Sequence, residues 1–180
     1  SPAEFGPLSS PASRPHSLGL PPGVSDDVVI APWNEPQILT EILNAHDGQF
    51  AAVVCEPIVA NNACILPRPG YLEHLREECT RRGIVLIFDE IVTGFRIARG
   101  GAQEFYGVTP DLAVFSKALG GGLPISAFAG RRAVMEPIGR NTVKHGGTYN
   151  GNPICATAAL ATLRELDRPG AIDRITSTGQ

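Results

Sequence analysis

Four clusters of polar residues stand where apolar runs end, and their types are those that do covalent and acid–base chemistry. Asp89-Glu90 follows Ile84-Val85-Leu86-Ile87-Phe88, and Lys117 follows Asp111 to Ser116 and precedes Gly120-Gly121-Gly122. Glu56 closes the run Phe50 to Cys55, with Asn61-Asn62 just beyond, and Gly146-Gly147-Thr148 is a flexible turn ending in a hydroxyl. A carboxylate at the end of an apolar strand is partly desolvated and needs a partner. For Asp89 that partner is a helix end, a basic side chain, a metal or a cationic ligand atom. Lys117 is the only lysine before Lys144. Most lysines are solvated surface groups, but one in an apolar, electropositive pocket loses its proton more easily and attacks carbonyl carbons. A strand-end lysine with a strand-end aspartate therefore suggests a cofactor held as a Schiff base, with its ring nitrogen protonated. The apolar strand plus Asp-Glu also resembles part of a nucleotide-hydrolysing site. That chemistry requires G-x-x-x-x-G-K-[ST], which does not occur in this chain.

The elements that must carry these residues follow from patterning. Half of the prolines (Pro2, Pro7, Pro11, Pro15, Pro21, Pro22, Pro32 and Pro36) lie in the first 36 residues, which predicts an irregular arm over residues 1–33. Asn34 with Gln37 reads as a capping box for a helix through Ile38, Ile42 and Leu43. Asp47-Gly48 is a turn, and Phe50 to Cys55 is a buried strand stopped by Glu56-Pro57. A helix spans about Gly70 to Arg82, with Leu72, Leu75 and Cys79 on one face and Gly83 as its stop. Strands follow at Ile84–Phe88, Asp111–Ser116 and Ile125–Gly130, then an alanine-rich helix at Pro153–Leu166 that starts on proline. Continuous apolar strands between helices predict an α/β fold in three layers, with a mostly parallel sheet and helices on both faces. Ligands of such sheets gather at the C-terminal strand ends.

In order along the chain, VLIFDEIVTGFRIA (residues 85–98), Gly100-Gly101-Ala102-Gln103, Gly107 to Leu112, Ser116-Lys117-Ala118-Leu119-Gly120-Gly121-Gly122-Leu123-Pro124 and Gly147 to Pro153 resemble class III aminotransferases. These belong to fold type I of the pyridoxal-phosphate (PLP) enzymes, and the nearest subgroup by resemblance is the glutamate-1-semialdehyde aminomutases. The likeness runs from about Leu18 to the end of the chain. It implies that Lys117 forms the Schiff base with PLP and shuttles the substrate proton, and that Asp89 pairs with the pyridinium nitrogen. It also places Ile91 on one ring face and Asn61 near the ring hydroxyl. Thr148, with the amide of Gly147, is implied to bind the cofactor phosphate of the neighbouring subunit in a homodimer, and Glu56 to support the site without touching the cofactor. Val92 stands where ornithine-type relatives carry glutamine, which favours the aminomutase-like subgroup. Tyr149-Asn150 replaces the Leu-Ser of true aminomutases, so a transaminase with another small amino donor or acceptor stays open.

The resemblance also implies that the 180 residues are an internal piece. Residues 34–167 are then the second half of the cofactor domain, and 168–180 lead towards a C-terminal small domain. A phosphate loop and a second ring-stacking aromatic are expected upstream, so the isolated chain is expected to be inactive. An exposed apolar patch around residues 148–160 is expected to face the partner subunit. A fold-retaining inactive fragment or interaction module is the alternative from a different class, and an NTPase a weaker one. Composition fits a folded domain: 43% hydrophobic, 18% charged, and 20 glycines with 16 prolines in 180 residues, a fifth of the chain against about 12% on average. A net charge of -3 gives no electrostatic footprint for nucleic acid. Apolar runs under about ten residues fall short of the roughly 20 a membrane helix needs. The four cysteines (Cys55, Cys64, Cys79 and Cys155) form no C-x-x-C pair and have no histidine at zinc spacing, so no metal is expected. Reduced thiols and a cytoplasmic location are.

Overall fold

Three of the apolar runs become adjacent parallel strands in the computed structural model, which describes residues 5–15, 17–21 and 23–179. Pro2 and Pro22 of the expected arm lie outside the described residues. The described part of residues 5–33 contains no helix or strand. The elements then run α1 (Pro36–Ala45), β1 (Ala52–Cys55), α2 (Tyr71–Arg82), β2 (Val85–Asp89), α3 (Gly101–Tyr106), β3 (Leu112–Phe115), a single 3-10 turn (Lys117–Gly120), β4 (Ala127–Gly130), α4 (Arg132–Gly139), α5 (Pro153–Leu166) and α6 (Ala171–Thr178). The sheet order is β1-β2-β3-β4. The first three strands are parallel, and β4 returns antiparallel to β3.

Side-chain alternation along β2 separates two faces. Leu86 and Phe88 are fully buried against α1 and α2, in a core with Leu39, Leu43, Leu72, Leu75 and Cys79. Val85, Ile87 and Asp89, on the opposite face, are only half-buried. β1 departs from its expected burial: it pairs only with β2 at the sheet edge, and its Val54 is 65% exposed. An apolar run fixes strand character, but the number of neighbours a strand acquires is a tertiary property. β4 is likewise mostly exposed.

Gly83 ends α2 and Pro153 starts α5, as read from the sequence. The Gly83 N–H bonds to Cys79 and Thr80 carbonyls, and the Asn152 carboxamide accepts from Ile154 and Cys155 N–H at the start of α5. The capping box at α1 does not form. The N-cap is Glu35 without a side-chain bond, because Asn34 sits at φ 64° and turns away from the helix. Its Nδ2 donates to Leu66 O at 2.9 Å, and its Oδ1 accepts from Arg68 N at 2.8 Å. The residue brackets two distant loops instead of capping its own helix.

Charged side chains lock the packing at two points. Arg82, only 6% exposed along its side chain, donates to Glu78 Oε2 at 3.0 Å, to Leu43 O and to Asp47 Oδ1, each of the latter at 3.1 Å. It thereby satisfies the end of α1 from α2. Arg81, on the same helix and 59% exposed, pairs only with Glu78 among the described residues. Arg82→Ala is therefore expected to lower unfolding free energy by about 2 kcal/mol, and Arg81→Ala by less than about 1 kcal/mol. Denaturant melts of the two variants check this, and equal losses would contradict it.

The second lock is Asp111, at the start of β3. It is buried, and its carboxylate accepts from Leu86 N, Arg76 Nη1 and Arg131 Nη1, each at 2.8 Å. Burial alone would raise its pKa. The Leu86 N–H and the Arg131 and Arg76 guanidiniums outweigh that and hold it below the usual carboxylate range. Burial pushes the Cys55 and Cys79 thiols up to about 12 and about 11, so both behave as small apolar groups.

Candidate functional site

The parallel register carries three of the sequence-picked residues to one end of the sheet. Cys55 of β1 lies beside Phe88 of β2, and Asp89 beside Val114 of β3. The segments leading to Asn61, to Ile91 and to Lys117 thus leave the C-terminal ends of three neighbouring strands. Register partners share a face, so Asp89, Val114 and Phe128 form a row across β2, β3 and β4 on the less covered side.

Asp89 is half-buried, and its Oδ1 accepts from Ile91 N at 2.9 Å. One carboxylate oxygen is thereby fixed while the group stays reachable from the open face. Ile91 follows in the turn and is half-buried too. Lys117 opens the 3-10 turn with φ 39°, a left-handed conformation that lysine rarely adopts, and its side chain is exposed. Such strain costs of order 1–3 kcal/mol and persists only where neighbours impose it. Here Ser116 Oγ donates to Ile125 O at 2.9 Å, and Leu119 N returns to Ser116 O at 2.9 Å. Gly121 lies against α5, where an added Cβ would come within 2.5 Å of Thr162 Oγ1. None of the ion pairs among the described residues involves Lys117.

Asn61 is exposed in a turn closed by the Val59–Ile65 bridge, and Glu56 steadies that turn by accepting from Ala60 N at 3.1 Å. Gly147 and Thr148 make no hydrogen bond to Asp89, Ile91, Asn61 or Lys117 among the described residues. They are exposed in the turns between α4 and α5, near β4, where the His145 ring meets Phe128 edge-on at 5.1 Å. Tyr149, Ile154 and Leu160 beside them are 84%, 69% and 48% exposed, giving the apolar patch expected there.

Ser116 and Thr162 had no role in the sequence reading, and Glu90 entered it only beside Asp89, as half of a possible nucleotide-hydrolysing pair. Ser116 holds the lysine turn as described, and Thr162 lies against Gly121 at the end of that turn. Glu90 is fully buried and accepts from Thr93 Oγ1, Ala102 N, Gln103 N and Gln103 Nε2. Its sequence signal was the Gly100-Gly101-Ala102 step: Gly101 has φ 75°, and a Cβ there would collide with the Glu90 carboxylate. The donor set fits a pyridine-type aldehyde cofactor. A carboxylate with one oxygen fixed can hold a ring N–H, and an amine in the turn after the adjacent strand can meet a carbonyl carbon.

Comparison with known proteins identifies relatives of the chain. The chain is 47% identical over 157 residues to the glutamate-1-semialdehyde 2,1-aminomutase of Methanocaldococcus jannaschii, covering 86% of this chain and 36% of that protein. An omega-transaminase structure from Sphaerobacter thermophilus superposes with a TM-score of 0.88 at 37% identity, covering 95% of this chain and 40% of that one. A transaminase solved with PLP bound gives 0.86 at 33% identity, covering 96% and 41%. The chain thus spans well under half the length of the relatives it matches. The class-III aminotransferase family model matches residues 21–180, and the chain belongs to that family.

Proposed function

We propose that the protein to which this chain belongs transfers amino groups with PLP, as a transaminase or as a 2,1-aminomutase acting on an amino aldehyde such as glutamate 1-semialdehyde. The observation that carries the reading is Asp89 and Lys117 at the C-terminal ends of adjacent parallel strands. It is supported by membership of a PLP-dependent family and by likeness to a PLP-bound transaminase. When bound, PLP supplies an electron sink for the substrate carbon. Lys117 Nζ is the group that would hold the cofactor aldehyde and, once released by the incoming amine, carry a proton to and from the substrate carbon. Asp89 would keep a proton on the ring nitrogen. Ile91 would pack on the ring and exclude water from one face, and Asn61 would hold the ring hydroxyl.

The remaining assignments belong to the same proposal. Gly147 and Thr148 would hold the phosphate in the neighbouring subunit's site, which their exposure suits. The described part of residues 1–33 would be an arm, residues 34–167 the second half of the cofactor domain, and the described part of 168–180 a lead towards a C-terminal small domain. The partners are small amino donors and acceptors, not nucleic acid or membrane, and the compartment is the cytoplasm. The four free thiols support that compartment. Among the described residues no helix is long and apolar enough to cross a membrane.

Borohydride treatment of the PLP-loaded full-length protein tests the reading. Peptide mapping is expected to return the reduced cofactor on Lys117. A label on any other residue, or none, would overturn it.

A further inference from the structure

Glu90 is a fully buried carboxylate that the proposed chemistry leaves without a task. No basic side chain pairs with it among the described residues; four neutral donors converge on it. Oε2 accepts from Thr93 Oγ1 at 2.9 Å and from Ala102 N, and Oε1 accepts from Gln103 N at 3.2 Å and Gln103 Nε2 at 3.0 Å. Its backbone is equally tied, N–H to Val114 O and C=O from Gly94 N, both at 2.9 Å. The start of the 91–103 segment (Thr93, Gly94) and its end (Ala102, Gln103) are therefore fastened to one residue. Capping α3 accounts for the bonds at the far end only. The bonds to Thr93 and Gly94 close the turn containing Ile91, whose N–H holds the Asp89 carboxylate at 2.9 Å.

The geometry points to Glu90 as a positioning residue for the cofactor ring, acting through the 91–94 turn on the carboxylate of Asp89 and the side chain of Ile91. This rests on the PLP reading above. The role requires a carboxylate: each oxygen receives two donors, whereas glutamine would turn its own N–H₂ towards two of them. A half-satisfied buried network is disrupted more than a replaced one, so the turn would shift and Asp89 would lose its fixed oxygen.

The test uses full-length apo-protein titrated with PLP, comparing wild type, Glu90→Gln and the milder, near-isosteric Thr93→Val. The readouts are the cofactor Kd, the pH midpoint of the bound cofactor's absorbance change, and the melting temperature of the apo-protein. Glu90→Gln is expected to raise Kd at least tenfold and to move the pH midpoint, and Thr93→Val to raise Kd about threefold. If Glu90→Gln does not fold, Thr93→Val decides. Kd values within twofold of wild type with an unmoved midpoint, whatever the melting temperature does, overturn the inference. Wild type that fails to hold PLP on Lys117 overturns the functional reading and this inference with it. Wild type that holds it beside unaffected variants overturns this inference alone.

Discussion

Lys117→Ala in the full-length protein is expected to abolish the near-ultraviolet band of lysine-bound PLP and to cut turnover at least about a thousandfold, some 4 kcal/mol of transition-state stabilisation. Two tasks are lost together, cofactor attachment and proton transfer, and Lys117 is one of only two lysines in this chain. The chain's only other lysine, Lys144, is exposed in the turns after α4. Lys144→Ala is expected to leave the band in place. Lys117→Arg should fail as completely as alanine despite its charge, because a guanidinium stays protonated and is no nucleophile. Absorbance spectra and steady-state rates of the three variants check this. A persistent band in Lys117→Ala would remove the assignment.

Asp111→Ala is expected to be the most damaging change to stability, about 3–5 kcal/mol, because it strands partners of a buried ion pair. Leu86 N loses its acceptor, and Arg76, 21% exposed, loses its counter-charge. The pH dependence has a definite sign. The folded-state pKa of Asp111 is lowered, so its contribution is fully present above the unfolded value, about 3.9. It is lost as pH falls through the lower folded value. Wild type should therefore lose stability below about pH 4 more steeply than Asp111→Asn. Urea melts from pH 6 down to pH 3, parallel in the two proteins, would contradict that account.

What could be read in the sequence was local. The helix α5 was legible because Pro153 starts it and alanines fill it, and α2 because apolar residues recur at helical spacing up to Gly83. Asp89 and Lys117 were legible because uninterrupted apolar runs deliver them to strand ends. The rest depends on partners far along the chain. Asn34 carries a cap-forming side chain, yet its bonds go to residues 66 and 68. The short α3 gains its start from Glu90, twelve residues upstream of Ala102, and no window around residues 101–106 contains that information. Lys117's left-handed backbone is imposed by Ser116, Ile125 and α5, so residue type alone argues against it.

The Asp111 lock also makes β3 a ruler. Its zero mark is pinned to β2, α2 and the start of α4 by one carboxylate, and Lys117 stands at a fixed count from that mark. Side chains alternate with period two, so gaining or losing one residue between 111 and 117 would turn the lysine to the wrong face or force the anchor to slip. Substitutions inside that interval can be absorbed by packing, but changes in length cannot.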